Sequence, residues 1–107
     1  MIVIESINHV AITVSSLEKS IQFYRDLFDF EVIEKLSTSG QAFLKMGDIL
    51  LALNEEEGYT APADSKNGIS FYVDEQDFDD ALEELEELDI EIVYGPENIR
   101  NGRCLIF

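Results

Sequence analysis

The chain contains no tryptophan, one cysteine, one histidine and two prolines, and sets only seven Lys and Arg against 23 Asp and Glu in 107 residues. Each scarcity excludes something. One cysteine, Cys104, rules out an internal disulfide, and its place in the apolar run Cys104-Leu105-Ile106-Phe107 suits a small buried hydrophobe better than a reactive thiol. A net charge of −16 repels phosphate backbones and anionic lipid, so neither nucleic acid nor a membrane surface is an expected partner. No run of about 18 apolar residues offers a membrane span, and no basic start leads into an apolar stretch with a small-residue cleavage site. A soluble, unprocessed, cytoplasmic protein is the expectation.

What is present is a globular pattern. A hydrophobic fraction of 46% in 107 residues suits one domain spanning 1–107, with a core but not two independent ones. Ile7 to Val14 alternates as a strand, placing Val10, Ile12 and Val14 on one face and His9, Ala11 and Thr13 on the other. Ser15-Ser16-Leu17-Glu18 fits a capping box, and Leu17, Ile21, Tyr24 and Phe28 then recur at helical spacing, which predicts a helix over about 16–28. Strands are predicted around Phe30 to Ile33, Gln41 to Met46 and Ile49 to Leu53, the last two joined by a tight turn at Gly47-Asp48.

Residues 55–67 lack periodicity and read as a connector, dividing a first module (about 1–54) from a second (about 68–107). In the second, Ile69, Phe71 and Val73 alternate with Ser70 and Tyr72. A helix with Phe78, Leu82, Leu85 and Leu88 on one stripe follows, then strands at Ile90 to Tyr94 and Arg103 to Phe107. The carboxylates of that helix, among them Glu83, Glu84, Glu86 and Glu87, lie mostly off its apolar stripe, as a solvated surface requires. The strand from His9 to Val14 corresponds to that from Gly68 to Val73, and the two helix stripes correspond as well, so the chain reads as a degenerate duplication. Paired units of this kind turn one sheet face to a helix and the other toward a shared cavity.

Asn8-His9-Val10-Ala11-Ile12-Thr13-Val14, followed by Leu17-Glu18-Lys19-Ser20 and Phe23-Tyr24-Arg25-Asp26-Leu27, resembles the opening of vicinal-oxygen-chelate proteins, the superfamily of glyoxalases, bleomycin-resistance proteins and extradiol dioxygenases. The likeness runs over essentially the whole chain. It implies an α+β fold of two βαβββ modules with curled mixed sheets enclosing a cavity, the second module here lacking its last strand. Where the family usually has Leu-Gly-Phe after the first helix, this chain has Phe28-Asp29-Phe30, and Asp tolerates the left-handed helix-ending conformation better than most residues.

Enzymes of the superfamily hold a divalent metal with four side chains, one from each of four strands. Carried over, the first ligand is His9. The position of the second falls on Ala52 and that of the third on Gly68, neither of which has a donor atom, and the fourth follows a turn that would begin just after Phe107. Glu55 and Glu56 lie near the second position but toward the connector. One imidazole holds a transition metal poorly. The expectation is therefore a small-molecule-binding domain with no cofactor, leaning away from metal-dependent catalysis, its cavity lined by His9, Thr13, Ala52, Ser70, Tyr72 and Arg103 and its state a homodimer. Two alternatives stand beside it. One is a lyase-like or dioxygenase-like enzyme using Zn, Ni, Fe or Mn through His9. The other is sequestration of a cationic antibiotic, which the acidity favours and the absence of tryptophan disfavours.

Overall fold

The computed structural model describes residues 1–36, 38–62, 67–100 and 102–107, in two compact units, residues 1–65 and 66–107. The division falls inside the stretch read as a connector, of which residues 63–66 lie outside the described residues. No helix among the described residues is long and apolar enough to cross a membrane.

The first unit is a complete βαβββ module: β1 (Val10–Val14), α1 (Leu17–Phe28), β2 (Glu31–Leu36), β3 (Gln41–Met46) and β4 (Ile49–Glu55). Its four strands lie in the order β1-β4-β3-β2, with β1 parallel to β4 and the other neighbours antiparallel. β3 and β4 are joined by Gly47-Asp48, and Gly47, at φ +56°, takes the backbone region that a two-residue hairpin loop requires of its first member. α1 lies over one sheet face, with Leu17 and Ile21 buried from the helix and Ala42, Leu44, Leu51 and Leu53 from the sheet. Burying each of the leucine and isoleucine side chains contributes roughly 1.5–3 kcal/mol before ordering entropy is subtracted.

The start of α1 departs from the expected detail, and its end follows it. The cap is Ser16, not Ser15: its Oγ accepts from the Lys19 N–H at 3.4 Å. With lysine in the third helical position, the reciprocal arm of a capping box is missing. Another carboxylate supplies the second acceptor, for Glu55 Oε2, at the end of β4, accepts from the Leu17 N–H at 2.7 Å. At the far end Asp29 adopts the left-handed conformation (φ 57°), its N–H donating to Arg25 and the Phe30 N–H donating to Tyr24, the double bond pattern that closes a helix without glycine. Phe30 is then buried against the edge of Tyr24, and burial pushes the Tyr24 hydroxyl above its ordinary pKa.

β1 begins at Val10, three residues later than expected. Val10 sits opposite Leu51 while β4 begins at Ile49, so the ladder soon runs out of partner for the residues before it.

The second unit contains α2 (Glu75–Glu87) and an antiparallel pair, β5 (Tyr94–Ile99) and β6 (Gly102–Ile106). α2 buries Phe78 and Leu85, as its stripe predicts. Two expectations fail here. Residues 69–73, read as a strand, form none in the structure; in the first unit the matching strand pairs with the third strand after the helix, and the described residues of this unit hold two strands after theirs. The strand expected over Ile90 to Tyr94 instead starts at Tyr94 and runs through Gly95-Pro96, where the register shifts. A bulge accommodates both glycine at positive φ and a proline with no N–H to donate, residues that read from sequence as the end of a strand. Cys104 is half-buried, not buried, because a two-stranded ribbon covers its residues incompletely.

Candidate functional site

The sheet face of the first unit that points away from α1 carries the chemistry. Parity assigns its occupants: Leu44, Leu51 and Leu53 go to the helix, so Phe43, Leu50, Ala52 and Asn54 go to the other side. The register lines up Ala11 with Ala52 and Phe43, and Thr13 with Asn54 and Gln41.

His9 sits one residue ahead of β1 and is exposed. Its ring meets the Phe43 edge at 5.9 Å between centroids and an interplanar angle of 85°, which places it on this same face. Its Nδ1 lies 2.8 Å from Asn8 Oδ1. A carbonyl oxygen only accepts, so Nδ1 is the donor of this pair, and in the neutral ring Nε2 is then the nitrogen with the lone pair that a metal ligand or proton acceptor needs. Farther along, the Gln41 Nε2 donates to Asn54 Oδ1 at 2.8 Å beside Thr13. Between these polar ends Ala11 and Ala52 form a low apolar floor, with Ala52 1% exposed.

Of the expected lining residues, the structure therefore brings His9, Thr13 and Ala52 together on one face. Ser70, Tyr72 and Arg103 belong to the second unit. Ser70 and Tyr72 lie in its segment ahead of α2, Tyr72 88% exposed. Arg103 is taken up by α2: its Nη1 donates to Asp79 Oδ1 at 2.9 Å and its guanidinium stacks 4.5 Å from the Phe78 ring centre. That hydrogen bond raises its pKa above the ordinary arginine value. Asn54, Gln41, Phe43 and Lys45 share the face with His9 and went unremarked in the sequence. Counting by twos from Ala52 finds Asn54, but the β3 members follow only from the register.

The fit of a metal can be tested on these groups. Among the described residues no three His, Cys, Asp or Glu side chains converge as a metal site. Glu55, the nearest carboxylate to the second ligand position in sequence, is engaged in capping α1. Gly68 offers no donor, and a side chain there would meet nothing within 4 Å. The described side chains thus supply one imidazole and fall short of the three protein ligands that a catalytic site wants.

The model of the Glyoxalase/Bleomycin resistance protein/Dioxygenase superfamily matches residues 6–107. The chain belongs to that superfamily. A metallothiol transferase FosB of Staphylococcus haemolyticus is 35% identical over 107 residues, covering 97% of this chain and 76% of the relative. Among solved structures, the fosfomycin resistance protein FosX of Mesorhizobium loti superposes with a TM-score of 0.72 at 29% identity, over 94% of this chain and 80% of that one. The FosX of Listeria monocytogenes, as an E126Q mutant complexed with Mn(II) and 1S,2S-dihydroxypropylphosphonic acid, superposes with a TM-score of 0.77 at 23% identity, over 96% and 82%. These relatives overturn the expectation of no cofactor: one is by name a metallothiol transferase, and another is seen with Mn(II). Reasoning from missing ligands misjudged the cofactor because it scored three family positions one by one against a superfamily whose members include enzymes of this kind.

Proposed function

We propose that this domain is an enzyme of the fosfomycin-resistance kind, transferring a small thiol to a small phosphonate, with a divalent metal such as Mn(II) as the cofactor. The observation that carries the reading is the 35% identity to a metallothiol transferase across 97% of the chain, a span that includes His9. His9 is the residue of this chain that would bind the metal, through Nε2, with Nδ1 turned to Asn8. The other donors are not among the side chains that the described residues bring together, so no step of the reaction is assigned to the metal here. Ala11, Ala52 and Phe43 beside the imidazole suit the short carbon skeleton of such a substrate. Two chains are proposed to associate as a homodimer.

The test is direct. The purified protein is incubated with Mn(II), fosfomycin and cysteine, and the phosphonate is followed by ³¹P NMR and mass spectrometry. Formation of the thiol adduct is expected, with His9→Ala lowering the rate by about a hundredfold. Absence of any adduct with several metals and thiols would sink the transferase reading. A second reading, binding of a small molecule without turnover, is favoured by the donor-free Ala52 and Gly68, and it is what that outcome would leave.

A further inference from the structure

We propose that Lys45 is the residue that positions the anionic end of the substrate on the face that carries His9, an inference that rests on the proposed function. In the β3–β4 register Lys45 stands opposite Leu50, and in the β2–β3 register opposite Glu31. Extending the β1–β4 register by one residue puts His9 beside Leu50. His9 and Lys45 thus occupy the same row two strands apart, about 10 Å at the backbone, and a flexible four-carbon stem can carry the ammonium toward a ligand held between them.

Charge makes this lysine singular. The other cations of the first unit among the described residues are Lys19 and Arg25, on α1, and Lys35, which is paired with Glu18 of that helix. Lys45 is therefore the one cation of the unit on the face with His9, it is exposed, and it forms no ion pair among the described residues. The acids of that face, Glu31 and Glu34, lie on the edge strand β2 and repel a phosphonate. In a chain of net charge −16, an anionic substrate needs a specific positive partner, and on this face Lys45 alone supplies one from protein.

The experiment measures KM and kcat for fosfomycin at saturating Mn(II) and cysteine. Lys45→Gln is expected to raise the KM for fosfomycin by about tenfold or more, the scale of a lost charged hydrogen bond, with kcat within a few-fold. The KM for cysteine should stay put, and Lys45→Arg should restore most of the loss. An unchanged fosfomycin KM, or an equal rise for both substrates, would overturn the assignment. Should the wild type make no adduct, titration with methylphosphonate followed through the amide signals of Phe43 to Met46 separates the two ideas. Shifts in the wild type that vanish in Lys45→Gln support the anion site, and their absence from the wild type refutes it.

Discussion

At the scale of single residues, Glu55 shows how a side chain can look like one thing in sequence and be another in space. It follows the β4 position where the superfamily places a ligand, which made it a candidate for rescuing a metal site. In the fold its carboxylate reaches 38 residues back to accept the Leu17 N–H at 2.7 Å, satisfying a donor that the helix itself cannot and placing negative charge at the positive end of α1. Glu55→Ala is expected to lower stability by about 1–2 kcal/mol, the usual cost of a lost cap with its charge, read as a lower urea midpoint at constant slope. Glu55→Gln, which keeps an acceptor, should lose less. Equal stability of all three proteins would mean that water caps Leu17 as well as Glu55 does. No local pattern announces such a bond, whereas Asp29 was visible because its partner lies within about one helical turn, and the cap at the other end was misplaced by only one residue.

At the scale of elements, legibility followed the range of the interactions. The period of α1, the Gly47-Asp48 hairpin and the apolar faces of β3 and β4 depend on neighbours in sequence, and each was readable. Pairing depends on distant partners, so the strand pattern at Ile69 to Val73 was correct as a pattern yet forms no strand in the structure. β5 was missed for the opposite reason, since Gly95-Pro96 reads as punctuation while the ribbon absorbs it in a bulge. The same logic explains the site: His9 and Ala52 came from strand parity and family resemblance, but Lys45 and Gln41 required the β3–β4 register. Gly95 carries a testable consequence. It stands at φ +85°, and a Cβ there would lie 2.6 Å from the Cys104 carbonyl oxygen, a backbone atom that cannot swing aside. Gly95→Ala should cost about 1–3 kcal/mol through positive φ and crowding together, seen as loss of amide-exchange protection in β5 and β6 with β1 to β4 unaffected. Unchanged protection in the ribbon would show that it reshapes freely around the bulge.

At the scale of the whole molecule the dominant fact is charge, and it bears on stability and function together. Seven cations face 23 anions, and only two ion pairs are formed among the described residues, both with an exposed carboxylate, where such pairs contribute little. α2 concentrates the imbalance: Glu75, Asp77, Asp79, Asp80, Glu83, Glu84, Glu86 and Glu87 share thirteen residues, with no base in its last turn. Pairs such as Asp79 and Glu83, Asp80 and Glu84, or Glu83 and Glu87 sit one turn apart, where like charges oppose the helix by roughly 0.2–0.5 kcal/mol each. Salt should therefore stabilise this protein. Between about 10 mM and 500 mM NaCl, with divalent ions chelated, screening of those pairs amounts to about 1 kcal/mol and a Tm higher by about 4–8 °C. A Tm that falls with salt would mean that favourable pairs outweigh repulsion and would contradict the charge argument. The same field that weakens the helix draws divalent cations toward the protein and holds anions off. A phosphonate substrate would then depend on the local attraction of Lys45 to offset that field. Fosfomycin binding should accordingly strengthen as NaCl rises if whole-molecule repulsion governs it, and weaken if the local attraction of Lys45 does, so one salt series on the KM separates the two scales.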